Sequence, residues 1–262
     1  MSINLFNSFL RFGGGTSFPN GLGSDADGTC TGVTYAQAGH FGAGTAFDFS
    51  SGDKIDLNNA IISGTGDYTM TGWFNFPSGA SGVGCMFQRG FPQKTSGGSY
   101  QGTCLARHTG TFKTYGYPIN LNGTAVSASA WHFIVLVRSS GTVTLYIDGS
   151  SDTSVSDSTD NVASDGAYTA TFSLGNAYTA VSPASNAGQS SSAFNAPDFV
   201  GLMSEISIWN VALSSGNIST LWNSGTGLTI QAYADSGANV DGCLAYYNFT
   251  ETSGDLINRA IP

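Results

Sequence analysis

The sequence has few charged side chains for its length. Only 10% of its 262 residues are Asp, Glu, Lys or Arg, against roughly a quarter in an average protein. Eight basic residues stand against 17 acidic ones, and the formal net charge is −9. A nucleic-acid-binding protein needs a basic face that displaces counterions from phosphates, so nucleic acid is excluded as a partner.

The sequence also lacks an apolar run of the roughly 20 residues that cross a bilayer, so no membrane span is predicted. The first residues, MSINLFNSFLRFGGG, do not form a secretory signal, because no basic residue precedes their apolar part. The composition is typical of extracellular proteins, yet no leader is recognised.

Several catalytic motifs are missing as well. The chain has no G-x-S-x-G nucleophile elbow, no H-E-x-x-H zinc motif and no phosphate-binding loop. Its three histidines, His40, His108 and His132, lie in unrelated segments. No catalytic residue is predicted, and we expect a protein that is not an enzyme.

Cysteine is scarce but even in number, with Cys30, Cys85, Cys104 and Cys243. The sequence has no C-x-x-C spacing, so a zinc site is not predicted. In a sandwich whose terminal strands pair, disulfides 30–243 and 85–104 are the first arrangement to test. Four buried free thiols are the alternative.

The sequence does contain short apolar runs separated by turns, with 36 glycines along the chain. Eight runs alternate apolar and polar residues: AFDF, YTMTGWFNF, CMFQRG, WHFIVLVR, TVTLYID, ATFSLG, EISIWNV and LAYYNF. Such runs indicate an antiparallel sandwich or barrel. A helix is predicted near 213–222, with Gly225 beyond its end. We predict an all-β fold, a two-sheet antiparallel β-sandwich with one short helix.

Residues 16–262 are predicted to form a single domain, and residues 1–15 an N-terminal arm or a first strand. The GGG that follows Phe12 would act as a flexible joint. Two stretches rich in Ser, Ala, Gly and Thr, at 150–168 and 179–197, have few large side chains to bury. They are predicted to be exposed loops.

Four motifs in this order resemble the laminin-G-like domains of the concanavalin A-like superfamily. They are GTAFDFSSGD at 44–53, YTMTGW at 68–73, the WH and LYIDG ends of 131–149, and GLMSEISIWNVALS at 201–214. The resemblance covers most of residues 40–258 and implies a jelly-roll sandwich. A further segment, 244–254, resembles one that often opens such domains; here it is predicted to be a permuted or closing strand.

Within these motifs, apolar neighbours at alternate positions favour core packing for Trp73, Trp131 and Trp209. His132 stands where the family commonly has His, and a structural hydrogen bond is its expected role.

Some members of the superfamily are glycosidases, which need two carboxylates across the sugar bond and carry them on one strand as E-x-D-x-x-E. The nearest string here begins at Glu205 and has Ser207 and Asn210 in place of the other acids. The only other glutamate, Glu251, belongs to a different strand. The sequence therefore argues against this form of catalysis.

Laminin-G-like domains often bind calcium through Asp side chains and loop carbonyls, so the resemblance implies calcium as a cofactor. Asp25 and Asp27, followed by Gly28, form a fragment of a hard-cation loop. Asp48 and Asp53 are secondary candidate ligands. The alternative is that these residues cap turns.

Glycan binding requires exposed aromatic rings with polar groups beside them. The best cluster contains Tyr115 and Tyr117, with Phe91 and Tyr100 in the segment before it. These four are the predicted ligand-binding residues, and filling of sheet faces is the alternative.

Two function classes follow. The first is a non-catalytic recognition or display module on a virion surface, a capsid decoration or fibre-associated protein with glycans or other particle proteins as partners. Such a protein leaves the cell by lysis without a leader, and it tolerates low charge because it is held in a homo-oligomer or multivalent array. The alternative is extracellular: a stand-alone secreted calcium-dependent lectin, or a carbohydrate-active enzyme of the laminarinase-like superfamily.

Overall fold

Two antiparallel β-sheets form the protein in a computed structural model, which confirms the predicted sandwich. The structure describes residues 21–57, 61–62, 66–78, 83–94, 100–108, 110–115, 121–156, 172–175 and 198–260. Its strands are β1 (Gly28–Thr31), β2 (Thr34–Gly39), β3 (Gly42–Phe49), β4 (Lys54–Leu57), β5 (Tyr68–Asn75), β6 (Val83–Lys94), β7 (Tyr100–His108), β8 (Thr111–Tyr115), β9 (Asn122–Ala125), β10 (Trp131–Ser139), β11 (Thr142–Ile147), β12 (Ser150–Ser156), β13 (Phe172–Leu174), β14 (Gly201–Trp209) and β15 (Cys243–Tyr247).

The strand orders are β1-β4-β13-β6-β7-β8-β9 in sheet A and β12-β11-β10-β5-β14-β3-β2 in sheet B, where β15 also pairs with β14. β14 changes partner along its length: residues 201–203 pair with β3, and residues 206–209 pair with β15. A bulge between Ser204 and Ser207 marks the change, and Glu205 within it has a φ of +54°. The pairing of β15 confirms the predicted closing strand.

Sheet B is buried on both faces. Side chains alternate across a strand, so Tyr68, Met70 and Phe74 of β5 pack between the sheets, while Trp73 packs on the opposite side. We call the first group of buried side chains the inter-sheet core and the second the outer cluster. Trp209 also lies in the outer cluster and is fully buried.

Two short helices pack on the outer cluster. Helix α1 (Ser215–Trp222) confirms the helix predicted near 213–222, and the Ser214 side chain caps its first turn. Helix α2 (Ile230–Asp235), capped by Thr229, is not predicted by the sequence. Both helices bury one apolar face against sheet B, which explains why strands of this sheet are apolar on both sides.

The cysteines follow the predicted pairing only in part. Cys85 and Cys104 form a disulfide between β6 and β7. The predicted bond between Cys30 and Cys243 is wrong, because both are free thiols. Cys30 packs against the inter-sheet core, whereas Cys243 belongs to the outer cluster, so sheet B separates the two sulfur atoms.

Residues 21–28 are tied to the segment 243–260. Leu22 N–H donates to the Leu244 carbonyl over 2.9 Å, and Gly28 exchanges backbone hydrogen bonds with Leu256. Asn258, which is fully buried, donates its backbone N–H to Asp27 Oδ1 over 2.7 Å, and its side chain donates to the Gly23 carbonyl over 3.0 Å. One amide side chain therefore bridges distant parts of the sequence.

The predicted exposed loop at 150–168 is wrong in its first part, because residues 150–156 form the edge strand β12. Its exposed side chains suit an edge position, where one face and one side of the strand meet water. The rest of that stretch, the second loop at 179–197 and the predicted N-terminal arm at 1–15 lie outside the described residues. Among the described helices, none is long and apolar enough to cross a membrane.

Candidate functional site

The predicted ligand-binding aromatics lie towards one end of sheet A. Phe91 is near the end of β6, Tyr100 begins β7 and Tyr115 ends β8. These strands are antiparallel neighbours in the sheet, so the three positions lie at the same end. Tyr117 lies outside the described residues. Ligand binding by these four residues stays a prediction.

The predicted calcium ligands are divided between two places. Asp25 lies in a 3-10 turn (Gly23–Ala26), and Asp27 binds the backbone of Asn258. Asp48 and Asp53 lie close together: burial, and then the charge of Asp53, raise the pKa of Asp48. Among the described residues, no group of three or more His, Cys, Asp or Glu side chains is arranged to hold a metal ion.

Glu205, the first residue of the glycosidase-like string, is inaccessible. Its side chain is 3% exposed, and its Oε1 accepts the Ile230 N–H at the start of α2 over 2.9 Å. It also hydrogen-bonds the Tyr246 side chain, and burial raises its pKa to about 7. The bulge in β14 directs this carboxyl group to the helical layer.

The rest of the string is equally structural. Ser207 Oγ lies 2.6 Å from Thr71 Oγ1 and accepts the Trp209 Nε1–H over 2.7 Å. The second glutamate of the chain, Glu251, accepts a hydrogen bond from Arg259 Nη2 over 2.6 Å. Both glutamates therefore hold other parts of the fold together.

A hydrogen-bonded chain connects Ser127, His132 and Asp148. His132 Nδ1 lies 2.8 Å from Asp148 Oδ2, and its Nε2 lies 3.0 Å from Ser127 Oγ. Asp148 Oδ1 also accepts the Phe133 N–H over 2.9 Å. This order of contacts occurs in hydrolase triads, but here it also fixes the Asp148–Gly149 turn to β10. His132 thus makes the structural hydrogen bond expected of it.

Half-buried aromatic rings gather on the outer side of sheet B. Among the described Phe, Tyr and Trp side chains with intermediate exposure, four of five pack against the outer cluster: Phe41, Trp131, Tyr146 and Trp222. The sequence predicts core packing for Trp131, and the structure shows it only half buried. The turn between β2 and β3 has the sequence GHFG at residues 39–42, and it brings His40 and Phe41 to this surface.

His40 is the centre of this group. Its ring stacks on Trp73 with centroids 3.6 Å apart and planes 11° apart, and it lies 6.2 Å from the Trp131 ring and 4.9 Å from Phe41. His40 Nε2 lies 3.1 Å from the Thr226 carbonyl oxygen. Burial lowers the pKa of His40, which favours a neutral imidazole.

Trp222 borders the same surface from the end of α1. Its ring packs so closely on Gly149 that a Cβ there would come within 2.7 Å of it. Its carbonyl accepts the Gly227 N–H over 3.1 Å, and Gly227 in turn lies against Phe41 and Trp73. We call His40, Phe41, Trp131 and Trp222 the outer aromatic surface.

Residues 49–219 match the model of a family described as the concanavalin A-like lectin/glucanases superfamily. The match covers more than half of the chain, and the family resemblance found in the sequence is thereby confirmed. A comparison with curated protein sequences finds no match.

Solved structures of low sequence identity share the fold. Domain 4 of AbnA, an extracellular GH43 arabinanase from Geobacillus stearothermophilus in complex with arabinotriose, is 18% identical with a TM-score of 0.52, over 72% of this chain and 81% of that one. A Ruminococcus gnavus IT-sialidase CBM40 bound to α2,3 sialyllactose is 14% identical with a TM-score of 0.50, over 67% and 95%. A putative carbohydrate binding protein from Bacteroides ovatus is 13% identical with a TM-score of 0.50, over 87% and 52%.

Proposed function

We propose that this chain, which belongs to the concanavalin A-like lectin/glucanase superfamily, is a non-catalytic carbohydrate-binding module. The observation that carries the proposal is the position of Glu205. The strand that provides acids in related glycosidases here places its single carboxyl group beneath α2, where no substrate reaches it. The two fold neighbours that hold oligosaccharides support a recognition role.

The test is to present the full chain to an array of neutral and sialylated oligosaccharides and to measure hydrolysis of every glycan that it binds. We expect binding without release of reducing ends. Because Ser127, His132 and Asp148 have the contacts of a triad, a fluorophosphonate probe is added as a second assay. Covalent labelling of Ser127, or hydrolysis of a bound glycan, would contradict the non-catalytic role.

The proposal includes calcium as a cofactor for glycan binding. Asp48 and Asp53 supply two carboxylates close together, whereas a calcium site needs six to eight oxygen ligands. Repeating the array with EDTA and with added Ca²⁺ tests the ion, and Asp53→Asn tests the site. Equal glycan binding with EDTA, with added Ca²⁺ and by the Asp53→Asn variant would remove calcium from the proposal.

We further propose that the module acts in a multivalent array on the surface of a virion, as the low charge and the Ser- and Gly-rich composition suggest. Linked copies raise the avidity of sites that are weak one by one. Light scattering of the purified chain and immunogold labelling of particles test this role. A monomer that labels no particle would contradict it.

A further inference from the structure

We propose that the outer aromatic surface, rather than the β6–β8 end of sheet A, binds the sugar, and that it selects neutral oligosaccharides. This inference rests on the proposed carbohydrate-binding function and names its site. The rings come from three separate parts of the chain: the β2–β3 turn, the start of β10 and the end of α1.

The shape of the surface suits a sugar ring. The faces of a sugar ring present C–H groups and its edge presents hydroxyls, so sugars pack on flat apolar rings that have polar groups beside them. Trp131 offers a half-exposed indole, and His40 is held against Trp73 in a stack with planes only 11° apart. These rings are fixed by the packing below them, so little side-chain entropy is lost on binding.

A defined hydrogen-bond acceptor lies beside the rings. A carbonyl oxygen can only accept, so the contact with Thr226 places the proton of the neutral imidazole on His40 Nε2. His40 Nδ1 is then an acceptor for a hydroxyl group. Asp148, whose side chain is 35% exposed, lies next to Gly149 beneath the Trp222 ring and offers carboxylate oxygens as further acceptors.

The charges around this surface favour neutral ligands. The described arginines contact other parts of the molecule: Arg89 over Tyr68, Arg107 over Phe76, Arg138 at the Gly66 carbonyl and Arg259 at Glu251. Lys54 pairs with Asp56 in sheet A. An anionic sugar would therefore meet the Asp148 carboxylate and a chain of net charge −9, and none of these five described cations is recorded against the rings of the outer aromatic surface.

The decisive experiment uses calorimetry to measure the affinity of the full chain for the neutral glycan that it binds most tightly on the array. Arabinotriose and α2,3 sialyllactose are fixed reference probes. Trp131→Ala should weaken neutral binding about tenfold through the lost stacking. His40→Phe keeps a ring against Trp73 but removes the acceptor, and should weaken binding about fivefold. The double variant Phe91→Ala/Tyr100→Ala should bind like the parent chain.

Circular dichroism and the thermal midpoint confirm that each variant is folded, and His40→Phe keeps the test valid if Trp131→Ala unfolds. Parent-like binding by the folded outer-surface variants would overturn the inference. If the Phe91/Tyr100 variant alone loses binding, the sheet A site is correct and the proposed function stands. A preference for sialylated glycans overturns the selectivity. A parent chain that binds no glycan on the array overturns both the inference and the proposed function.

Discussion

The inter-sheet core and the outer cluster lie on opposite faces of sheet B, and their chemistry differs. The inter-sheet core is built largely of aliphatic and aromatic side chains with edge-to-face rings, such as Phe74 against Phe87. The outer cluster instead encloses polar groups, among them Glu205, Ser207 and Tyr246. Packing without polar groups is insensitive to pH, whereas a buried carboxyl group makes stability depend on it. One face of the sheet is thus mainly apolar, and the other carries a buried carboxyl group.

The largest loss of stability is expected from a substitution in the inter-sheet core. Phe74 is fully buried in the inter-sheet core, and Phe74→Ala should lower the free energy of unfolding by about 3–5 kcal/mol, because the ring leaves a cavity. Urea denaturation measures the change. Val200→Ala, at a side chain that is 41% exposed, is the control and should change stability by less than about 0.5 kcal/mol. Similar effects for the two variants would contradict the assignment of this core.

The titratable face gives the next largest effect. Folding raises the pKa of Glu205 from 4.5 to about 7, so the folded protein holds this proton more tightly than the unfolded chain. The contribution of Glu205 to stability is therefore greatest below pH 4.5, falls as the pH rises to 7 and is constant above that. The fall amounts to about 3 kcal/mol.

The measurement for Glu205 is urea denaturation at several pH values for the parent chain and for Glu205→Gln. The amide keeps the shape of the side chain and has no charge to lose, so the difference in unfolding free energy between the two proteins should change across pH 4.5–7. A pH-independent difference would show that Glu205 titrates normally.

Two buried tryptophans of the outer cluster differ in their hydrogen bonding. Trp209 donates its Nε1–H to Ser207 Oγ, whereas the buried Nε1 of Trp73 has no hydrogen-bond partner among the residues that the structure describes. Both Phe variants lose ring volume, but only Trp209→Phe also loses a hydrogen bond. We expect it to be less stable than Trp73→Phe by about 1 kcal/mol. Thermal unfolding of both variants checks this, and the reverse order would contradict it.

An effect of similar size concerns the cap of α1. Ser214 Oγ accepts the Asn217 N–H over 3.2 Å, and Ser214→Ala should lower stability by about 1 kcal/mol. Hydrogen exchange of the α1 amides should rise more than exchange in β5, because the helix lies outside the sandwich. Ser219→Ala, at an exposed position of the same helix, is the matched control. Equal exchange rates in the two variants would argue against the cap.

The sequence predicts the parts of this fold that depend on local patterns. Each of the eight alternating runs contributes to a strand, and α1 lies within the segment predicted to be helical. Strand β12 escapes prediction because SSDTSVS is an exposed edge segment with no apolar face. Helix α2 escapes it because it has only six residues, and the carboxylate at its start comes from another strand.

The candidate site is less predictable than the fold. Trp131 and Trp222 are visible in the sequence, but nothing local distinguishes a half-buried tryptophan from a core one. His40 and Phe41 reach the same surface only because the β2–β3 turn packs on Trp73. That contact spans more than 30 residues of sequence. Convergence of distant turns cannot be read from spacing, and it determines where the rings meet.

The bridge made by Asn258 has a consequence for the order of assembly during synthesis. Residues 21–28 leave the ribosome early, yet their partners at 243–260 follow more than 200 residues later. Until then the apolar residues around Leu22 and Ala26 lack part of their cover, and β14 lacks β15 beside it. Contacts so far apart in sequence form slowly. Nascent chains therefore complete this seam only after residues 243–260 have been made.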